Sequence, residues 1–267
     1  MAGKSSKPGH PTDPGPVSGS RVTFVGDAMS TVVQGVIEVR TLLGQPPVIV
    51  GGVAVLSRLS HPHRATVDVD VVDRLHGEVP HLEVLRAADG AQPVQPAAVL
   101  LATPYGPVKV DVLEVRQAEL DIPSDDPGDR LHASAHAWAN DTATEMTLEV
   151  VRMNGERREV ATLMAEPGPL VAMKLQAVMN RSVEKQGTDL LDIIRLTLDG
   201  ATRPAVLTQI GHVDPAIAGD IALHADLWLV RRRDQALRWI TSVGGDDIAT
   251  DDIELTSELL LAACIRH

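Results

Sequence analysis

The chain has 267 residues, 44% of them hydrophobic, and a formal net charge of −12. That is enough apolar material for a core without staples, and the single cysteine, Cys264, excludes both a disulfide framework and a Cys/His zinc motif. The acidic balance argues against a general nucleic-acid coat, because neutralising phosphate dominates such binding, and an aromatic content of 2% argues against a base-stacking platform.

In chain order, residues 1–20 are rich in Gly, Pro and Ser and read as a disordered tail without the apolar run of a signal peptide. Residues 27–43 carry Met29, Val32, Val33, Val36, Ile37 and Val39 at helical spacing and stop at Gly44. Pro46-Pro47 precede a strand at 48–50, Gly51-Gly52 open a helix over 53–59, and a strand follows at 66–72. A helix is expected at 78–88, then strands at 97–103 and 108–115 joined by the Pro104–Pro107 turn. Residues 130–139 read as a helix, and Asn154-Gly155 between strands at 147–152 and 158–163 predicts a type I′ hairpin.

From Pro167 onward the pattern is helical, at 169–181, 187–198, 204–211, 215–228, 229–243 and 251–265. The shift divides the chain into an α/β unit at 21–165 and a helical half at 166–267. The expected fold is therefore α/β (α+β), a mixed sheet with flanking helices followed by a helical C-terminal half. No apolar run comes near the ~18 residues of a membrane span. With the lone thiol, this predicts a cytoplasmic protein without membrane contact.

The chemistry concentrates in residues 48–72. Asp68 and Asp70 flank Val69 on a strand, so both carboxylates point to one face. Adjacent carboxylates repel one another, and a hard divalent cation such as Mg²⁺ relieves the repulsion. Two glycines after an apolar strand let the backbone approach a ligand, and the helix start behind them offers N–H groups to phosphate. Asp111, central in a second apolar strand, is a third candidate acid, as metal ligand or as base toward an acceptor hydroxyl. Asp73 and Glu114 have the opposite parity and are expected in solvent. Arg64 is placed to hold phosphate or pair with a carboxylate, and Thr66 to fix the turn. His61 and His63 read as loop residues rather than zinc ligands. This set points to metal-dependent phosphoryl or nucleotidyl transfer.

A second constellation spans residues 171–196. Lys174 and Arg181 are seven apart on one expected helix, and Asp189 and Asp192 are three apart on the next, so each pair shares a face. Lys174 facing the acidic strand would be a phosphate ligand; the bland alternative is a surface lattice of ion pairs. Arg231-Arg232-Arg233 with Arg238 is the densest positive run, either a solvated helix face or an RNA backbone contact.

In these residues the sequence resembles the nucleotidyltransferase superfamily of polymerase-beta-like fold. Gly51-Gly52, Asp68/Asp70 and Asp111 follow that superfamily's order of glycine turn, acid-x-acid strand and later third acid. Arg64-Ala-Thr66-Val-Asp68-Val-Asp70, Lys174-Leu-Gln-Ala177, Arg181 and Asp189-Leu-Leu-Asp192 look like AbiEii-type nucleotidyltransferase toxins of type IV toxin–antitoxin systems. The resemblance implies a nucleotidyltransferase-type sheet and transfer of a nucleoside monophosphate from an NTP to an acceptor hydroxyl, with Mg²⁺ or Mn²⁺ held by Asp68, Asp70 and Asp111. It implies an NTP cradled by Gly51, Gly52, Arg64, Thr66 and Arg181, with Lys174, Asp189 and Asp192 in the catalytic set. It also implies the tRNA acceptor end and a cognate antitoxin as partners. The rival expectations are a small-molecule nucleotidyltransferase of antibiotic-modifying type and a catalytically silent binding protein of the same fold.

Overall fold

The computed structural model describes residues 20–265; the expected disordered tail lies almost wholly outside them. Among the described residues there are eight strands: β1 (Ser20–Val25), β2 (Val48–Val50), β3 (Asp68–Asp73), β4 (Gln92–Gln95), β5 (Ala98–Leu101), β6 (Val108–Glu114), β7 (Thr144–Val151) and β8 (Arg157–Met164). The first five helices are α1 (Ser30–Leu43), α2 (Gly51–Arg58), α3 (His81–Arg86), α4 (Gln117–Asp121) and α5 (Pro127–Asp141). The rest are α6 (Pro167–Ala177), α7 (Val183–Leu198), α8 (Arg203–Ile210), α9 (Pro215–Ala225), α10 (Arg233–Ser242) and α11 (Thr250–Cys264). The protein is thus α/β, with the strands in one mixed sheet ordered β1-β7-β8-β2-β3-β6-β5-β4 and the later chain helical.

β3 is an interior strand, antiparallel to β2 and parallel to β6. Its Val69, Val71 and Val72 are buried, whereas Val67, just before the strand, is 74% exposed. Asp68 and Asp70 therefore stand on a strand fixed from both sides. A one-residue slip would exchange Val69 and Val71 with the acids. One contiguous hydrophobic core joins sheet residues such as Ile49, Val69 and Leu148 to Leu190 and Ile193 of α7, Trp228 and Leu260 of α11. Each fully buried Leu or Ile contributes about 1.5–3 kcal/mol. α5 and α6 pack on each other, and α5 also meets β2 and β3, which closes one side of the site.

Several expectations are corrected. The Asn154-Gly155 hairpin is not type I′, which needs positive φ at both central residues. Only Gly155 has it, at +82°, and the Gly155 amide bonds to the Arg152 carbonyl, giving a type I turn closed by a left-handed glycine. α6 stops at Ala177; a 3₁₀ turn over Val178–Asn180 follows, and Arg181 is extended, so Lys174 and Arg181 do not share a helix. The expected helices at 215–228 and 229–243 are interrupted by a π-helical turn at Asp226–Arg231, and α10 starts only at Arg233. Asp73 is not in solvent. It is 4% exposed and accepts from the Leu75 amide at 2.8 Å and the His81 amide at 2.7 Å, holding the chain where Leu75 takes φ +53°. Glu114 is half-buried. β1, which pairs parallel with β7 along the sheet edge, was not expected.

Candidate active site

Gly51 opens α2 at φ +62°, a left-handed conformation that glycine adopts without Cβ strain. The β2–β3 register pairs Val50 with Asp70, which brings the Asp70 carboxylate over the turn. A Cβ on Gly51 would stand 1.9 Å from Asp70 Oδ2, and one on Gly52 would stand 2.8 Å from Thr66 Oγ1 and 3.3 Å from Arg64 Nη2. Both glycines are thus required by the close approach of the residues picked from sequence: Asp70, Thr66 and Arg64 all converge on this helix start.

Across the sheet, Asp70 is in register with Asp111 and Asp68 with Lys109, on parallel strands. Lys109 Nζ lies 2.8 Å from Asp111 Oδ2. Burial opposes the Lys109 charge, but its bond to Asp111 and the nearby Asp68 and Asp70 outweigh that and raise its pKa. The Asp70 carboxyl is also pushed up, first by burial and then by Asp111 and Asp68, against the pull of Lys174 and Arg181. Three carboxylates against one ammonium leave this side of the site acidic.

The second constellation is buried and is not a surface lattice. Lys174 Nζ contacts Asp189 Oδ1 at 2.6 Å and Asp192 Oδ2 at 2.9 Å; Asp189 is 1% exposed and Asp192 fully buried. Arg64 grips Asp192 with both Nε and Nη2, at 3.2 and 2.8 Å, and His63 Nε2 lies 3.3 Å from the same carboxylate. His63 is therefore part of the network, contrary to its reading as a plain loop residue. Arg181 Nη1 reaches Asp189 Oδ2 at 3.5 Å despite lying beyond the helix. Burial alone would raise the Asp192 carboxyl; Lys174, His63 and Arg64 overcome it and hold it far below the usual aspartate range. The Lys174 pKa is raised by Asp189 and Asp192 in spite of burial. Three permanent cations against two carboxylates leave one positive charge in excess here, beside the acidic strand.

Between these charges lies a cleft of about 230 Å³, lined in part by Gly51, Asp70, Lys174 and Arg181. Leu113, His132, His136, Leu170, Met173 and Gln176 also line it. His132, His136 and Gln176 were missed in the sequence. Their only signals are the four-residue spacing of the histidines on a helix and the position of Gln176 two residues after Lys174.

The chemistry of the donors fits a Mg²⁺ ion held by Asp68 and Asp70. This ion commonly takes one or two carboxylates, with substrate phosphates and water completing its octahedron. The three-acid shell expected with Asp111 is not assembled. Among the described residues no three His, Cys, Asp or Glu side chains converge as a metal site, and Asp111 is held by Lys109.

The arginine run is not part of this cleft. Arg231 pairs with Asp226 at 2.6 Å, Arg232 lies 4.9 Å over the Trp228 ring, and Arg233 pairs with Glu254. No helix among the described residues is long and apolar enough to cross a membrane.

No family model matches the chain, and no curated protein matches it. Among solved structures it is similar to an antigenic nucleotidyltransferase-like protein from Paracoccidioides brasiliensis, with 20% identity and a TM-score of 0.39. The likeness covers 73% of this chain and 92% of that one. An overlap this loose assigns no chemistry.

Proposed function

We propose that the protein is a metal-assisted nucleotidyltransferase that moves a nucleoside monophosphate from an NTP to an acceptor hydroxyl. The observation that carries the reading is the placement of Asp70 against Gly51: a carboxylate able to hold a divalent cation sits 1.9 Å from where a Cβ on the first residue of a helix would be. Cation site and phosphate cradle then share one turn.

In this reading Asp68 and Asp70 hold Mg²⁺, which supplies charge neutralisation at the α-phosphate and the leaving pyrophosphate when bound. The amides at Gly51 and Gly52 receive phosphate oxygens. Lys174 and Arg181, which line the same cleft, face the remaining phosphate charge, and Asp189, Asp192 and Arg64 fix the Lys174 ammonium in place. The acceptor oxygen bonds to the α-phosphorus as the bond to the β-phosphate oxygen breaks, and Asp111, through the oxygen not bonded to Lys109, takes the hydroxyl proton.

The resemblance of residues 64–70 and 174–192 to AbiEii toxins supports the tRNA acceptor end as substrate and a cognate antitoxin as partner. The test is incubation with each α-³²P-NTP, Mg²⁺ and total tRNA, beside the Asp68→Ala/Asp70→Ala double variant. Label in tRNA with the wild type alone supports the reading. Label in an aminoglycoside but never in RNA would replace the acceptor, and no NTP binding with Mg²⁺ present would overturn the enzyme.

A further inference from the structure

The cleft is lined by two chemically different sets of residues, and the proposed reaction uses only one. Gly51, Asp70, Lys174 and Arg181 account for phosphate and cation. The other set suits an occupant that is flat, mostly apolar and polar at its edge. Leu113 comes from β6, two residues beyond Asp111 and so on the same sheet face. Leu170 and Met173 come from α6, one turn and one residue before Lys174 respectively. The polar atoms among these side chains belong to His132 and His136 of α5 and to Gln176 of α6.

Their geometry fixes what they can offer. His136 Nδ1 lies 2.6 Å from the His132 carbonyl oxygen, so Nδ1–H donates and Nε2 is left as an acceptor. The two imidazoles lie 4.3 Å apart, tilted by 48°. Burial and the neighbouring His132 lower the His136 pKa to about 3, so this ring is neutral at working pH. Gln176 is 6% exposed, and its Oε1 lies 3.4 Å from His132 Nδ1. With that oxygen turned to His132, the amide N–H₂ is available as donor. This set thus presents apolar walls, neutral imidazole and an amide, the combination that fixes a planar heterocycle by its edge.

Resting on the nucleotidyltransferase reading, we propose that this second set of lining residues forms the nucleobase subsite, with Gln176 and His132 as the residues that select the base. Base choice then comes from α5 and α6, whereas phosphate binding comes from the Gly51 turn and Lys174. A site that pairs buried polar groups with a base edge rejects bases that leave those groups unpaired.

The experiment is calorimetric titration of the full chain, with Mg²⁺ present, against ATP, GTP, CTP and UTP and against inorganic tripolyphosphate. The wild type, Gln176→Met and His132→Phe are compared, each first shown to melt cooperatively. Gln176→Met nearly conserves volume, and either folded variant suffices for the test. The expected result is that at least one nucleotide binds tenfold or more tighter than tripolyphosphate, with a tenfold or greater spread among the four bases. In the variants the spread falls below threefold while tripolyphosphate affinity stays within threefold. A wild type that binds all four nucleotides and tripolyphosphate alike overturns the base subsite and leaves the phosphate site standing. So does a spread that survives both substitutions. Absence of binding by every probe overturns this inference together with the reading beneath it.

Discussion

Lys174 Nζ stands 2.9 Å from Asp192 Oδ2, the same oxygen that Arg64 Nη2 reaches at 2.8 Å. One fully buried carboxylate therefore ties α6, α7 and the loop before β3 into a single charged joint. Breaking a buried pair by removing one partner leaves uncompensated charge and costs about 3–5 kcal/mol. Asp192→Asn is expected to lose that much stability in urea unfolding at pH 7. The Asp192 pKa is depressed in the folded state, so its contribution is present above the ordinary aspartate value of 3.8 and is lost as pH falls below it. The gap between wild type and variant should hold from pH 7 to about 5 and narrow toward pH 2.5. A gap that stays constant over that range would contradict the network.

Asp70 has the opposite sign. Its folded pKa is raised by burial and by Asp111, so ionisation costs the folded state more than the unfolded one. That cost is absent in acid and grows as pH rises through the aspartate range. Asp70→Asn should therefore melt higher than wild type at pH 7 and equal to it near pH 3. If Asp70 holds the cation as proposed, nucleotidyl transfer should fall about a hundredfold or more in this variant. Thermal melts at both pH values, beside the labelling assay, check both halves. A lower melting temperature at pH 7 would mean that Asp70 is structural.

Gly51 and Gly26 form a matched pair. Both have positive φ, +62° and +102°, but a Cβ on Gly26 meets nothing within 4 Å, whereas one on Gly51 collides with Asp70. Gly26→Ala should lose only the strain of the left-handed backbone, about 1–2 kcal/mol. Gly51→Ala should lose more in melting experiments and should also abolish nucleotide binding, because Asp70 must move. Equal losses in the two variants would remove the steric argument.

The strand carrying Asp68 and Asp70 was legible because period-two alternation and β-branched valines leave little choice of register. The glycine turn was legible because two glycines between an apolar strand and a helix have few other uses. The pairing of Lys174 with Asp189 and Asp192 was half legible: spacing put each set on a face, but burial depends on α7 packing across α6, which no local pattern encodes. Arg181 was misplaced because α6 breaks at Ala177 without a glycine or proline to announce it. Asp73 was misread because parity shows which face a side chain takes, not which loop folds back to cover it. The histidines of α5 reach the cleft only through the tertiary contact of α5 with α6, and a lone pair of helical histidines carries no distinguishing signal.

In the proposed reading, Lys109 would compete with a cation for Asp111. Its ammonium lies 2.8 Å from Asp111 Oδ2, across from Asp68 in the β3–β6 register. Lys109→Met removes a positive charge next to three carboxylates and frees one carboxylate oxygen. At an effective dielectric near 20, a unit charge a few ångströms away is worth about 2–4 kcal/mol, less where water screens it. Mg²⁺ or Mn²⁺ should then bind about three- to tenfold tighter to Lys109→Met than to wild type in calorimetric titration without nucleotide. The added affinity should vanish in Lys109→Met/Asp111→Asn. Weaker binding in the single variant would instead show that Lys109 orients Asp111 for the metal and does not compete with it.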